Sequence, residues 1–182
     1  VETLQENVEL SKDSLTAGVP IDTGSARTCW ATTTYVSQVL YMELEVELHG
    51  RAGYCVYGVG NKNFAGNRKV GTRPTMPFEE YYVVGYTSRG DIVISGAIQR
   101  RGEEPWSNGD SMGLRIDFET ETFAAYKNGY PVVVGVCDGV GVGVSPMTTM
   151  IYGPHKMRLN PIPSVPPPPH RWDAETCHKD VE

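Results

Sequence analysis

The sequence lacks most of the features that assign a protein to a class at first sight. Its four cysteines include no CxxC pair and are too few and too scattered for a disulfide framework. No Asn-x-Ser/Thr glycosylation site occurs, and no apolar run is long enough to cross a membrane. These absences favour a reducing, intracellular location, which we expect to be the cytoplasm, and no membrane partner.

Helical periodicity is also missing, whereas the chain holds 20 glycines, ten tyrosines and scattered valines. This composition predicts an all-β fold. A body of about 150 residues buries enough surface for a self-sufficient core. Because the chain opens at Val1 without Met or a signal segment, we expect a fragment or a processed product.

The net charge of −6 opposes general binding to nucleic acid. The charge is uneven, since residues 51–101 carry eight basic side chains against three acidic ones. Arg68, Lys69 and Arg73, with Phe64 and Phe78 nearby, resemble a weak RNA-binding pattern of bases interleaved with aromatics. RNA binding therefore stays open as an alternative, as does carbohydrate binding, which other β-sandwiches perform.

The clearest local pattern lies between Gly109 and Val136. Apolar residues alternate there with polar or small ones, which predicts a half-buried strand. The apolar members are Met112, Leu114, Ile116 and Phe118. An acidic turn and a second short strand follow, and Asn128-Gly129 then predicts a type I′ hairpin, because both of its central positions need φ > 0. The stretch is therefore predicted to be a three-stranded meander that needs a second sheet to close a core.

The same stretch resembles the C-terminal half of a SPRY domain. The matching pieces are Gly109-Asp110, Met112-Gly113, Asp117, Tyr126-Lys127-Asn128-Gly129 and Gly135-Val136. Further pieces upstream match as well, namely the loop-flanking strands near residues 8–17, Tyr41 to Val46 and Tyr54 to Gly60. The resemblance implies a bent two-sheet antiparallel β-sandwich, a concanavalin-like jelly roll, that binds other proteins.

On this basis we expect three parts: an N-terminal extension at residues 1–7, a SPRY-like sandwich at 8–158, and an extended Pro-rich tail at 159–182. Predicted strands include Leu40 to Leu48, Tyr81 to Tyr86, Asp91 to Ala97 and a last strand at Val144 to Gly153. A long loop is predicted at Asn61 to Glu80. The predicted core includes Trp30, Leu44, Val46, Leu114, Ile116 and Phe118.

Catalysis is not expected, and neither a cofactor nor a metal is predicted. Glu43, Glu45 and Glu47 alternate along one strand at a spacing near that of inverting glycosidases, but an exposed, edge-protecting acidic face explains them more simply. Cys137-Asp138 lies in no recognised nucleophile motif. The tail's His170, Cys177 and His178 lack the paired spacing of a zinc site.

The resemblance implies a partner-binding site in loops at one end of the sandwich. In SPRY domains that capture short peptides, three matching regions line the pocket. Carried over to this sequence, they supply Pro20 and Asp22 as one wall, Tyr152 and Gly153 as the floor, and Asn63 and Phe64 as the facing loop. Gly18 and Val19 stand where the pattern has Arg, and Tyr152 stands where it has Trp. The chain is thus expected to be an adaptor or a docking subunit of a multi-protein complex.

The tail holds six prolines between Pro161 and Pro169 and favours polyproline II. Pro166, Pro169 and Arg171 fit the P-x-x-P-x-R pattern that SH3-type grooves bind. A stiff linker, or a strap along the chain's own domain, explains the same composition.

Overall fold

The chain forms two antiparallel β-sheets that face each other across an apolar core. The computed structural model describes residues 9–10, 16–19, 27–31, 34–37, 39–50, 54–65, 81–95, 97–101, 104–151 and 154–160, with the backbone alone for some strand residues. In chain order the strands are β1 (Glu9–Leu10), β2 (Thr16–Val19), β3 (Arg27–Trp30), β4 (Val39–His49), β5 (Tyr54–Ala65), β6 (Tyr81–Thr87), β7 (Ile92–Ile94), β8 (Ala97–Arg100), β9 (Ser111–Asp117), β10 (Thr122–Lys127), β11 (Tyr130–Val136), β12 (Ser145–Ile151) and β13 (His155–Leu159).

The seven-stranded sheet has the order β1-β2-β13-β4-β9-β10-β11, and the six-stranded sheet has the order β3-β12-β5-β6-β7-β8. The one helical segment among the described residues is a 3-10 turn at Val140–Val142. No helix in the described ranges is long and apolar enough to cross a membrane. The predicted all-β sandwich is confirmed.

The core follows from the alternation along β4 and β9. Met42 lies opposite Leu114, and Leu40 lies opposite Ile116, so the apolar residues of both strands meet on one face. The predicted core residues whose side chains the structure describes are all buried: Leu44, Val46, Leu114, Ile116 and Phe118. Trp30 pairs with Met147 through its backbone, but its side chain lies outside the described residues.

The hairpin at Asn128-Gly129 is confirmed. Asn128 has φ 54° and Gly129 has φ 81°, which are the two positive values that a type I′ turn requires. The turn places β10 and β11 in register from Lys127 opposite Tyr130 to Thr122 opposite Val136.

Strand β13 was not predicted. The sequence favoured a last strand ending near Gly153, but a further strand at His155–Leu159 lies between β2 and β4. His155 and Met157 are buried and Lys156 is exposed, so the period-two pattern is present. The strand is short, it begins with His155, a residue type that is seldom buried, and prolines lie close to it in the sequence. The pattern was therefore too weak to predict a strand.

Three predicted boundaries also need correction. Strand β5 continues to Ala65, so residues 61–65 belong to a strand and not to the predicted long loop. The predicted strand at Asp91 to Ala97 is shorter, since β7 ends at Ile94 and a separate strand, β8, begins only at Ala97. Gly18 and Val19 belong to β2, although a loop was expected to start at Gly18.

Asp117 closes the turn between β9 and β10. Its Oδ1 accepts hydrogen bonds from the backbone N–H groups of Glu119 and Thr120, each at 3.1 Å. The hydrogen bond from Thr120 is the main cause that holds the pKa of Asp117 below its ordinary value of 3.8, with Glu119 and Arg115 adding to it. Side chains of this kind stabilise turns by replacing missing backbone partners.

This turn predicts a small pH dependence of stability. Because the folded pKa is lowered, the contribution of Asp117 is complete above pH 3.8 and is lost as the pH falls through the folded value. The carboxylate is partly exposed, so we expect an effect below about 1 kcal/mol. Urea unfolding between pH 2 and pH 7 measures it. Asp117→Asn should be less stable than the wild type at neutral pH, and the difference should shrink below pH 4. A constant difference across that range would contradict this role.

Candidate functional site

The strands that flank the predicted binding loops end side by side. Val19 of β2 and His49 of β4 both lie opposite His155 of β13. In the other sheet, Ile151 at the end of β12 lies opposite Tyr54 at the start of β5. We call this part of the sandwich the β2–β13 end.

The β2–β13 end is tightly built. The N–H of Gly50 donates to the carbonyl of Pro154 over 2.9 Å. A Cβ at Gly50 would lie 2.9 Å from that same carbonyl oxygen, so only glycine fits without a shift. His155 is buried. Backbone pairing and close packing thus form the frame at this end, and loops that carry recognition are generally held on such a frame.

The predicted site residues attach to two different places. Pro20 follows Val19 in the sequence and Gly153 precedes Pro154, but Pro20, Asp22, Tyr152 and Gly153 lie outside the described residues. The backbone of Asn63 and Phe64 lies in β5, nine and ten residues after Tyr54.

Strand β5 stays in register with β6 as far as Asn61, where the register shifts. At about 3.3 Å per residue, the strand from Tyr54 to Asn61 spans roughly 20 Å, so Asn63 and Phe64 lie about that far from the Tyr54–Ile151 pair. The structure places their backbone toward the opposite end of β5 from the β2–β13 end. Their contribution to one pocket with Tyr152 stays a prediction without support from this geometry. The tail residues Pro166, Pro169 and Arg171 also lie outside the described residues.

The outer face of the seven-stranded sheet carries the three alternating glutamates. Glu47 forms an ion pair with Lys156 at 2.6 Å. Glu43 accepts hydrogen bonds from the hydroxyl of Tyr41 at 3.1 Å and from Nδ2 of Asn160 at 3.2 Å. These contacts hold Glu43 and Glu47 in place as structural acceptors.

A shallow groove of about 330 Å³ lies beside these glutamates. Its lining residues are Glu43, Glu45, Gly109, Ser111, Arg158, Leu159 and Asn160. Charges of both signs line it, and Glu43 is already hydrogen-bonded on both oxygens. This arrangement is typical of a polar surface and differs from the pair of free carboxylates that glycoside cleavage requires.

The Met112-Gly113 motif has a packing cause on the same face. A Cβ at Gly113 would lie 2.5 Å from the hydroxyl oxygen of Tyr41. Tyr41 and Tyr126 meet edge to face with ring centroids 5.9 Å apart, an arrangement that aromatic pairs prefer. Burial and the neighbouring Glu43 raise the pKa of Tyr41. The glycine thus makes room for an aromatic pair that covers the sheet.

The Gly-Asp and Lys-Asn-Gly motifs tie the meander to the loop before it. Asp110 accepts hydrogen bonds from the N–H of Ser107 at 2.6 Å and from Nδ2 of Asn128 at 2.8 Å. Nζ of Lys127 lies 3.4 Å from the Asp110 carboxylate and donates to the carbonyl of Pro105 over 2.9 Å. These residues fix the structure of the meander and its loop.

The comparisons with known proteins agree with this architecture. The chain is similar to the SPRY domain of human HERC1, with a TM-score of 0.61 and 16% identity over 86% of this chain and 96% of that one. It is also similar to another human SPRY domain, with a TM-score of 0.60 and 19% identity over 87% of this chain and 97% of that one. The chain has the SPRY fold. No family model and no curated protein matches the sequence.

Within this SPRY fold, Cys137 is a buried structural residue. Burial, with Glu121 and Asp138 nearby, raises the pKa of its thiol to about 12. A nucleophilic cysteine needs the opposite shift, because the thiolate is the reactive form. In the described ranges, no three His, Cys, Asp or Glu side chains are placed to share a metal ion.

One exposed apolar surface of the SPRY fold was not found from the sequence. Strand β11 is the last of the described strands at one edge of the seven-stranded sheet, which we call the free edge of β11. The exposed fractions of Tyr130, Val134 and Val136 are 76%, 56% and 58%. The uncharged run YPVVVGV could have indicated it. The sequence shows the run but does not show that, among the described strands, β11 pairs with β10 alone.

Proposed function

We propose that this chain is a non-enzymatic protein-interaction module. It captures a peptide or protein surface through loops at the β2–β13 end, and it serves as an adaptor or as a docking subunit of a larger assembly. The observation that carries the proposal is the convergence of β2, β4 and β13 in one row at Val19, His49 and His155. Two of the three predicted recognition segments join the frame there.

The SPRY fold and the side-chain chemistry support this function. Glu43 and Glu47 are engaged in structural contacts, and the Cys137 thiol has a pKa of about 12. The acidic face of β4 also opposes RNA, whose binding depends on cations that neutralise phosphate. These observations favour protein interaction over the RNA alternative.

Tyr152 is the residue on which capture should depend most. A tyrosine offers a large contact area, few rotatable bonds and one hydroxyl, and tyrosines dominate interface energetics. We expect Tyr152→Ala to reduce the binding free energy for a partner by about 2 kcal/mol, which raises the Kd roughly 30-fold. The partner is first captured from native lysate and identified by mass spectrometry, and its Kd is then measured by calorimetry.

Tyr130→Ala is the matched control, because Tyr130 is 76% exposed and lies on β11, far across the sheet from β2. It should leave the Kd unchanged, and both variants should melt close to the wild type. Unchanged affinity of the Tyr152→Ala variant, or its unfolding, would show that Tyr152 is not the floor of a binding site.

A further inference from the structure

The free edge of β11 presents backbone groups for pairing. The N–H of Cys137 donates to the carbonyl of Glu121 over 2.8 Å, and the register places Val136 opposite Thr122 and Val134 opposite Ala124. In an antiparallel pair, backbone groups point alternately toward and away from the partner strand. Those of Val134 and Val136 therefore point away from β10, and no described strand pairs with them.

Protection of this edge is confined to one half. Natural edge strands avoid unwanted pairing with charges, prolines and bulges. Pro131 lies near the start of β11, and the register shift against Ala125 and Tyr126 leaves Val132 as an extra residue there. From Val133 to Val136 the strand has no charge and no proline, and Val134 and Val136 are more than half exposed.

The surroundings of the open half are acidic. Asp138 follows β11, and Glu119 and Glu121 lie in the turn next to it, where Glu121 accepts a hydrogen bond from Gly139 at 3.3 Å. Within the described part of the chain, no Lys or Arg forms an ion pair with these three acids. An antiparallel strand added to β11 would begin at this acidic end, so a positive charge there is favoured.

We propose that Val133–Val136 is a second docking surface, which accepts an extended partner segment as an additional antiparallel strand. The segment has alternating β-branched residues that pack on Val134 and Val136, and a Lys or Arg at its N-terminal side near Asp138. A second copy of this chain fits less well, because four residues of edge bury far less than the roughly 1,000 Å² of a stable interface. The net charge of −6 on each copy also opposes it. This surface is independent of the β2–β13 end.

Labelled peptides test the proposal with the full chain. By fluorescence anisotropy, the peptide KRVTVTV should bind. At low salt the Kd of EEVTVTV should be higher by about threefold or more, as expected for exposed charge pairs. Val134→Pro removes one N–H that faces the free edge without removing a bond to β10. It should raise the Kd for KRVTVTV about tenfold. Val134→Thr keeps the N–H and the β-branch, so its Kd should stay within about threefold of the wild-type value.

Two forms of KRVTVTV with N-methyl groups on alternate residues test the pairing without changing the protein. At least one of them should fail to bind wild-type protein, because one set of peptide amides must face β11. Binding by both, equal binding of KRVTVTV to the Val134→Pro variant, or no binding of KRVTVTV would overturn the proposal. A dimer in sedimentation equilibrium that Val134→Pro abolishes would assign the edge to a second copy and also overturn it. None of these results depends on Tyr152.

Discussion

Replacing Ile116 with alanine is expected to lower the free energy of unfolding by about 2–5 kcal/mol. Ile116 is fully buried, and it lies opposite Leu40 of β4 on one side and Phe123 of β10 on the other. Removing three carbon atoms there leaves a cavity that the two neighbouring strands cannot collapse to fill. Urea unfolding followed by circular dichroism measures the loss.

Val39→Ala is the control, since Val39 lies on the neighbouring strand but is 50% exposed. This substitution should change the free energy of unfolding by no more than about 0.5 kcal/mol. If Ile116→Ala lost less than about 1 kcal/mol, the meander would not be packed against the second sheet in the way described.

Replacing Gly58 with alanine is the second change with a large expected effect. Gly58 of β5 lies opposite Gly85 of β6. A Cβ at Gly58 would overlap the carbonyl oxygen of Val84 and would lie 2.7 Å from Cα of Gly85. These are backbone atoms and cannot rotate aside, so the central strands of the six-stranded sheet would have to separate.

Overpacking of this kind lowers the free energy of unfolding by about 1–3 kcal/mol and sometimes more. In a chain of this size, each kcal/mol lowers the melting temperature by roughly 2–4 °C. Differential scanning fluorimetry gives the shift. Gly141→Ala is the control, because nothing lies within 4 Å of a Cβ at Gly141. Equal melting temperatures for the two variants would mean that β5 and β6 are not as close as the structure shows.

The sequence predicted the features that depend on neighbouring residues. The hairpin at Asn128-Gly129 needs only two residues that accept positive φ. The alternation in β4 and β9 needs only a period of two, and it identified the buried residues of the core. The resemblance to SPRY domains rested on such local motifs, and several of them have packing causes, such as Gly113 beneath Tyr41.

Features set by distant pairing could not be predicted in this way. Strand β13 is stabilised by β2 and β4, which precede it by more than 100 residues. The hydrogen bond between the hydroxyls of Thr28 and Thr149 likewise joins residues 121 positions apart. The same limit applies to the candidate site. Asn63 and Phe64 were assigned to a pocket by motif, while the length of β5 places their backbone far from Ile151.

The proposed function places capture of a protein partner at the β2–β13 end. Site-specific photo-crosslinking in native lysate tests it most directly, with benzoylphenylalanine in place of Tyr152 in one protein and in place of Val39 in another. Val39 is 50% exposed and lies at the other end of β4 from His49. We expect one discrete crosslinked protein at position 152, lost on competition with excess unlabelled wild-type protein, and none at position 39. The same crosslinks at both positions, or none that wild-type protein competes away, would contradict it.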